Sequence, residues 1–224
     1  MTISIIIPAL NEASCIAPCV QSLRRQGPGE IIVADGGSSD GTPEHARAAD
    51  RVIAAPRGRA AQMNAGAAVA RGEHLLFLHA DCRLADGTLA AIGSCLRRPR
   101  VIAGCLTMRV DAEGMMYRCI EACATARVRL TGIAYGDQGL FLRRVDFVRL
   151  GGFPALRFME DVFFSSRLAG HGRMVVMPHA IHVSPRRWEK AGIVRQTLRN
   201  WALTALAMAG VQPDRLATYY PHVR

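Results

Sequence analysis

Asp81 follows an apolar run, Leu75-Leu76-Phe77-Leu78, and sits near the start of a polar stretch that continues to Asp86. A carboxylate just beyond a buried strand is placed to bind a divalent cation that also holds phosphates; read locally, it can instead cap a helix. Asp35 has a similar setting. It follows the run Glu30 to Ala34 and opens the loop Asp35-Gly36-Gly37-Ser38-Ser39-Asp40-Gly41-Thr42. A carboxylate there can accept from a base N–H or a ribose hydroxyl, and a tight turn with Asp40 as helix cap is the competing reading. Gly36-x4-Gly41-Thr42 half resembles a phosphate-gripping loop, but its Lys is missing and no dinucleotide GxGxxG is present.

These carboxylates need strands to end beneath them. Ile3 to Pro8 reads as a buried strand, Ala13 to Gln26 as a helix ended by Gly27-Pro28-Gly29, Glu30 to Ala34 as a strand, and Pro43 to Ala49 as a helix. Arg51 to Ala54 is a third strand and Gly58 to Ala70 an Ala-rich helix leading to the strand before Asp81. This alternation predicts an α/β doubly wound sheet, whose ligands bind beyond the carboxyl ends of the strands. The second half is less regular. Helices are expected over Thr88–Arg97, Glu113–Leu130, Glu160–Gly170 and Lys190–Ala209, with a helical turn over Val145–Leu150 and strands over Val101–Val110, Gly139–Arg143 and Arg173–Met177.

The chain has 224 residues, half of them hydrophobic, which suits one substantial core. Its net charge of +10 fits nucleic acid, an anionic membrane surface or phosphate-bearing substrates as partners. Single-stranded nucleic acid would call for aromatic platforms, and only 6% of residues are aromatic, so no nucleic-acid partner is expected. The seven Cys lack a CxxC pair, which points to buried free thiols in a reducing compartment. No basic leader is visible, and the uncharged run near the end is too short to span a bilayer. The expected location is the cytoplasm, with peripheral contact at the inner membrane face as an option.

Ser4-Ile5-Ile6-Ile7-Pro8-Ala9-Leu10-Asn11-Glu12, then Ile32-Val33-Ala34-Asp35 with its loop, Gln62-Met63-Asn64-Ala65-Gly66 and His79-Ala80-Asp81 together resemble a family 2 glycosyltransferase with the GT-A fold. The likeness continues through Tyr135-Gly136-Asp137-Gln138-Gly139, Gly151-Gly152-Phe153 and Met159-Glu160-Asp161, and is strongest to small bacterial members without transmembrane helices. It implies a Rossmann-like, mixed but mostly parallel sheet flanked by helices, in one domain. Residues 1–85 would be the nucleotide-binding half, 86–190 the acceptor and catalytic half, and 191–224 a C-terminal helix and tail.

The resemblance also implies roles. Pro8, Ala9, Asn11, Glu12, Asp35, Arg59, Asn64, Ala80 and Asp81 would bind the nucleotide of a nucleoside-diphosphate sugar, with UDP the expected base carrier. Asp81 matches the last acid of the family's DxD motif and would hold Mn²⁺ or Mg²⁺; His79 replaces the first acid and is read as structural. Asp161, with Glu160, matches the family's acidic pair, and Asp161 would be the catalytic base of an inverting transfer. Asp137 and Gln138 would touch sugar or acceptor. Arg186, Arg187 and Trp188 would form a flexible loop closing over the donor, with His182 a further metal ligand. The acceptor is unknown, a lipid-linked one being an option, and so is a homodimer.

A sugar nucleotidyltransferase would share the sheet but needs a Gly-rich loop with an activating Arg or Lys near the N-terminus, which is absent. A non-catalytic nucleotide or nucleic-acid binder is the remaining alternative. In the last helix, Ile193, Leu198, Trp201, Ala205 and Met208 recur at helical spacing, a stripe for a membrane surface, a second subunit or the chain's own core.

Overall fold

Strand β1 (Ile3–Ala9) has every side chain buried. The two-residue period of a strand sends Ile5 and Ile7 into one hydrophobic layer and Ile6 into the other. Both layers must therefore be covered by helices. β1 pairs in parallel with β2 (Glu30–Asp35) on one side and with β4 (His74–Phe77) on the other. These features come from a computed structural model that describes residues 2–220.

The sheet order is β3-β2-β1-β4-β7-β6-β8-β5, where β3 is Arg51–Ala54, β5 Arg83–Leu84, β6 Val101–Val110, β7 Phe141–Arg143 and β8 Arg173–Val183. β7 and β5 are antiparallel to their neighbours, and the other strands share one direction. The mixed, mostly parallel sheet expected from the sequence is the one observed, and both halves of the chain contribute strands to it.

Helices α1 (Ala13–Arg24) and α4 (Thr88–Leu96) cover one face, with Ile16, Val20, Leu23, Leu89 and Ile92 in the core. The other face is covered by α3 (Arg59–Val69), α6 (Arg144–Arg149) and α7 (Glu160–Ala169). Phe77 packs edge-to-face on Phe153, and Phe153 lies tilted against Phe164, with centroids 4.8 and 4.7 Å apart. α2 (Thr42–His45) follows the β2 loop, and α5 (Met115–Thr131) flanks β6 and β8. The chain ends in α8 (Arg186–Ala191), α9 (Ile193–Met208) and α10 (Pro213–Ala217). Leu203, Ala207 and Leu216 from the last two pack on Phe158, Met159 and Val162.

Several expectations change. β8 continues past Met177 to Val183, because Pro178 and His179 form an irregularity in its pairing with β6 and hide the strand's continuation. The single last helix is two, separated at Gly192. Cys119 and Cys123 are exposed rather than buried, on the outer side of α5. No helix among the described residues is long and apolar enough to cross a membrane.

α3 sits close on β1 because Gly66 has no side chain: a Cβ there would lie 2.5 Å from Cγ2 of the fully buried, β-branched Ile6. Overpacking of this kind costs about 1–3 kcal/mol. Gly66→Val is therefore expected to lower the urea midpoint by a corresponding amount. An unchanged midpoint would mean that α3 does not bear on the sheet at this point.

Candidate active site

β1 and β4 end side by side, and the segments leaving them form the floor of a cleft of about 460 Å³. Pro8, Glu12, Arg59, His79, Asp81, Asp137, Arg186 and Arg187 are among its walls. A smaller chamber adjoins it, bounded by Asp161, Tyr135, Gly136, Phe158 and Tyr220. Arg59, His79, Asp137, Arg187 and Tyr220 line both. Asp81 and Asp161 thus face neighbouring spaces across a shared wall.

Asp161 is placed by two local features. Met159 takes a left-handed φ of 63°, turning the chain so that Glu160 and Asp161 open α7. Gly136 then brings its backbone N–H to Asp161 Oδ2 at 2.5 Å, while Oδ1 accepts from the N–H of Val162 at 2.8 Å. A Cβ on Gly136 would lie 2.7 Å from His79 Nε2 and 3.3 Å from Asp161 Oδ2, so glycine is what lets the imidazole and the carboxylate converge.

Asp81 is exposed at the cleft. His79 is inside: burial, aided by Arg59, pulls its pKa down to about 4, and the ring is neutral near pH 7. Asp137 has an Oδ1 without a hydrogen-bond partner, and burial raises its pKa against the pull of Arg187 and Arg127. Among the described residues no three His, Cys, Asp or Glu side chains gather as a metal site. What the cleft offers a cation is the exposed carboxylate of Asp81, with Glu12 and Asp137 also on its walls. That fits an ion such as Mg²⁺ or Mn²⁺ which takes its remaining oxygens from substrate phosphates and water.

Other predicted site residues have different work. Glu160 is buried and committed to Arg59, its Oε1 3.2 Å from Nε. Burial raises its pKa while the guanidinium opposes that shift. Asp35 accepts from the N–H groups of Gly37 and Ser38 and from Ser38 Oγ, so its carboxylate holds its own loop. Asn11, at φ 55°, accepts from Ser39 N–H and ties that loop to β1's end. Glu12 presents its N–H to Thr42 Oγ1. Asp40 caps at a distance, accepting from Ala13 N–H at the start of α1 and from Thr42. Pro8 lines the cleft; Ala9 and Ala80 are buried, and Ala9 O accepts from Gln62 Nε2.

Three of the predicted site residues, Asn64, Gln138 and His182, line neither space. The amide of Asn64 pairs with both the C=O and the N–H of Phe153, at 2.9 and 3.0 Å. Gln138 is fully buried and holds its own turn, Oε1 accepting from Arg127 and from Tyr135 N–H. His182 turns away from the cleft because its neighbour on β8, Val183, faces it; its Nδ1 meets Asp111 Oδ1 at 2.8 Å. Trp188 lines the cleft from a fixed position. It is buried edge-on against Tyr117, 6.3 Å between centroids, and anchors α8, so the expected flexible loop is a short helix. Arg186 and Arg187, on that helix, do reach the cleft.

Sequence reasoning missed Arg57, Gln62, Tyr135, Asn200, Thr204 and Tyr220, all of which line one space or the other. Arg57 had a signal, a second Arg in Pro56-Arg57-Gly58-Arg59. Asn200, Thr204 and Tyr220 had none: the first two arrive on α9 and Tyr220 follows α10, in a stretch that no motif marks.

Residues 4–151 match the family model described as glycosyl transferase family 2. A curated relative, the PGL/p-HBAD biosynthesis glycosyltransferase of Mycobacterium bovis (strain BCG / Pasteur 1173P2), is 38% identical over 102 residues, covering 41% of this chain and 40% of the relative. The match therefore spans less than half of either chain. Two solved structures share the fold. One is a mannosyltransferase from Pyrobaculum calidifontis in complex with GDP-Man and Mn²⁺, with TM-score 0.70 and 23% identity over 95% of this chain and 66% of that one. The other is glucosyl-3-phosphoglycerate synthase from Mycobacterium tuberculosis with Mn²⁺, UDP and phosphoglyceric acid, with TM-score 0.58 and 18% identity over 94% and 79%.

The reassignment of Asn64 is open to test. Asn64→Ala removes both bonds to Phe153 and leaves backbone groups unpaired in a partly buried place, a loss of about 1–3 kcal/mol. The expected result is a lower denaturation midpoint with unchanged affinity for nucleoside diphosphates. A selective loss of affinity at constant stability would return Asn64 to the binding site.

Proposed function

Since the chain belongs to glycosyltransferase family 2, we propose that the cleft binds a nucleoside-diphosphate sugar and that the adjoining chamber admits the acceptor hydroxyl. One observation carries this reading: Asp81 and Asp161 line separate spaces that share Arg59, His79, Asp137 and Arg187. Transfer needs such a division, with one carboxylate near the phosphates and another where the acceptor loses its proton.

Arg59, Arg186 and Arg187 supply positive charge for a diphosphate, and guanidinium forks suit phosphate oxygens. Asp81 would hold the divalent cation, Mn²⁺ or Mg²⁺, which when bound offsets the charge of the leaving diphosphate. Asp161 accepts the acceptor's proton as that oxygen bonds to the anomeric carbon. The bond from that carbon to the diphosphate oxygen breaks, and its electron pair leaves with the nucleoside diphosphate. Attack from the Asp161 side, opposite the phosphates, inverts the anomeric configuration. The N–H groups of Gly136 and Val162 fix the carboxylate's orientation, so little reorganisation accompanies the proton transfer. Uridine is the expected base; the structural neighbours were solved with UDP in one case and GDP-Man in the other, each with Mn²⁺.

Thermal shift against UDP, GDP, CDP and TDP, each with EDTA, Mg²⁺ or Mn²⁺, tests the donor side, because a ligand of the folded state raises its stability. UDP with metal is expected to give the largest shift, and Asp81→Ala to remove the part that needs metal. Equal shifts in EDTA would take Asp81 out of a metal role. Asp161→Asn is expected to keep the wild-type shift and to slow UDP release from UDP-sugars by about 10²–10⁴-fold. Full activity in that variant would mean that another group is the base.

A further inference from the structure

Helix α9 turns apolar side chains to solvent along its length. Val194, Leu198, Trp201, Leu206 and Met208 are each 44–56% exposed. Single exposed apolar residues are ordinary, but these share the outward side of one helix, as the three- and four-residue steps from Val194 to Leu198 to Trp201 show. The inward side is made by Gln196, Leu203 and Ala207. The sequence stripe therefore holds for Leu198, Trp201 and Met208, and it is a surface rather than a core feature.

The same helix belongs to the reaction chamber. Asn200 and Thr204 line the space that holds Asp161, and Thr204 Oγ1 lies 2.7 Å from the hydroxyl of Tyr135. Trp201 borders a small pocket whose walls also include Tyr135 and Asp137. The exposed apolar side of α9 is thus continuous with the acceptor side of the cleft.

We propose that this face of α9 docks in the surface of an anionic phospholipid bilayer. Charge selects this occupant. A chain of net charge +10 is drawn to a negatively charged surface, and the exposed Arg195 stands beside the apolar residues. The same charge opposes a second copy, since two such molecules repel as they approach. Trp201 is of the residue type that sits at headgroup level. At 16 residues and with one side committed to the protein, α9 lies in the membrane plane. Docking would bring the Asp161 chamber to a membrane-borne acceptor hydroxyl; that consequence rests on the transferase reading, whereas docking itself does not.

Flotation with phosphatidylcholine–phosphatidylglycerol vesicles, and with pure phosphatidylcholine vesicles, tests it. The protein is expected to float with the anionic vesicles, less so in high salt, and weakly with the neutral ones. The double variant Leu198→Glu/Leu206→Glu, whose sites are exposed and outside both chambers, is expected to bind at least about tenfold more weakly while keeping the wild-type melting temperature and the thermal shift with UDP and metal. Leu198→Ser/Leu206→Ser repeats the test without added charge. Absence of flotation, flotation undiminished in both variants, or a lipid-free dimer that the variants dissolve would each overturn the proposal. Flotation needs neither donor nor acceptor, so its outcome is independent of whether sugar transfer is observed.

Discussion

Two helix N-termini meet beside the cleft, and the Arg59–Glu160 ion pair joins them. Arg59 opens α3 and Glu160 opens α7. A helix N-terminus carries partial positive charge, so Glu160 is well placed there and Arg59 alone would not be. Each answers the other's problem. Glu160 is almost fully buried, and a buried carboxylate without a partner is strongly destabilising. Arg59 in turn is held in its charged form chiefly by Glu160. The pair fixes α7 against α3, and Asp161, the next residue, is fixed with it. The cleft and the adjoining chamber are therefore set in register by one contact.

That register gives meaning to the histidine at position 79. The site already holds Asp81, Asp137 and Asp161, and burial presses against ionisation of Asp137. Another acid at 79 would add negative charge where Arg59 and Arg187 are shared between two spaces, and crowded carboxylates resist ionisation. A ring kept neutral by burial adds none. It fills the space that Gly136 leaves open, and it separates Asp81 from Asp161 without competing for the same cations. A neutral His79 therefore leaves the positive charge of Arg59 and Arg187 to the carboxylates around it.

The first half of the fold was legible because local and global signals agree there. Buried runs such as Ile3 to Pro8 alternate with helices of ordinary length, and the alternation itself dictates a parallel sheet. The motifs also single out Asp81, Asp161, Arg59 and Arg187, which lie on the walls of the two spaces. A motif marks a position as constrained, and it does not distinguish contact with a ligand from support of a loop. Asn64 and Gln138 line neither space and are tied to the protein instead, to Phe153 and to Arg127 and Tyr135. The extension of β8 was hidden by Pro178, which sequence reasoning treats as an end and the sheet accommodates as an irregularity.

The two spaces differ in character, and the difference bears on how transfer to water is limited. The donor side is rich in Arg57, Arg59, Arg186 and Arg187 and suits phosphate. The Asp161 side adds apolar walls, Phe158, Met159 and Val162, and the polar points Asn200 and Thr204 to the Arg59, His79, Asp137 and Arg187 that it shares with the other space. A base that can take a proton from an acceptor can also take one from water, and hydrolysis of the donor would follow. Apolar walls lower the occupancy of water beside the carboxylate and strengthen the bonds that hold it. These walls come from α7 and from the C-terminal helices together. The C-terminal segment therefore walls both spaces: α8 brings Arg186 and Arg187 to the cleft, and α9 brings Asn200 and Thr204 to the chamber.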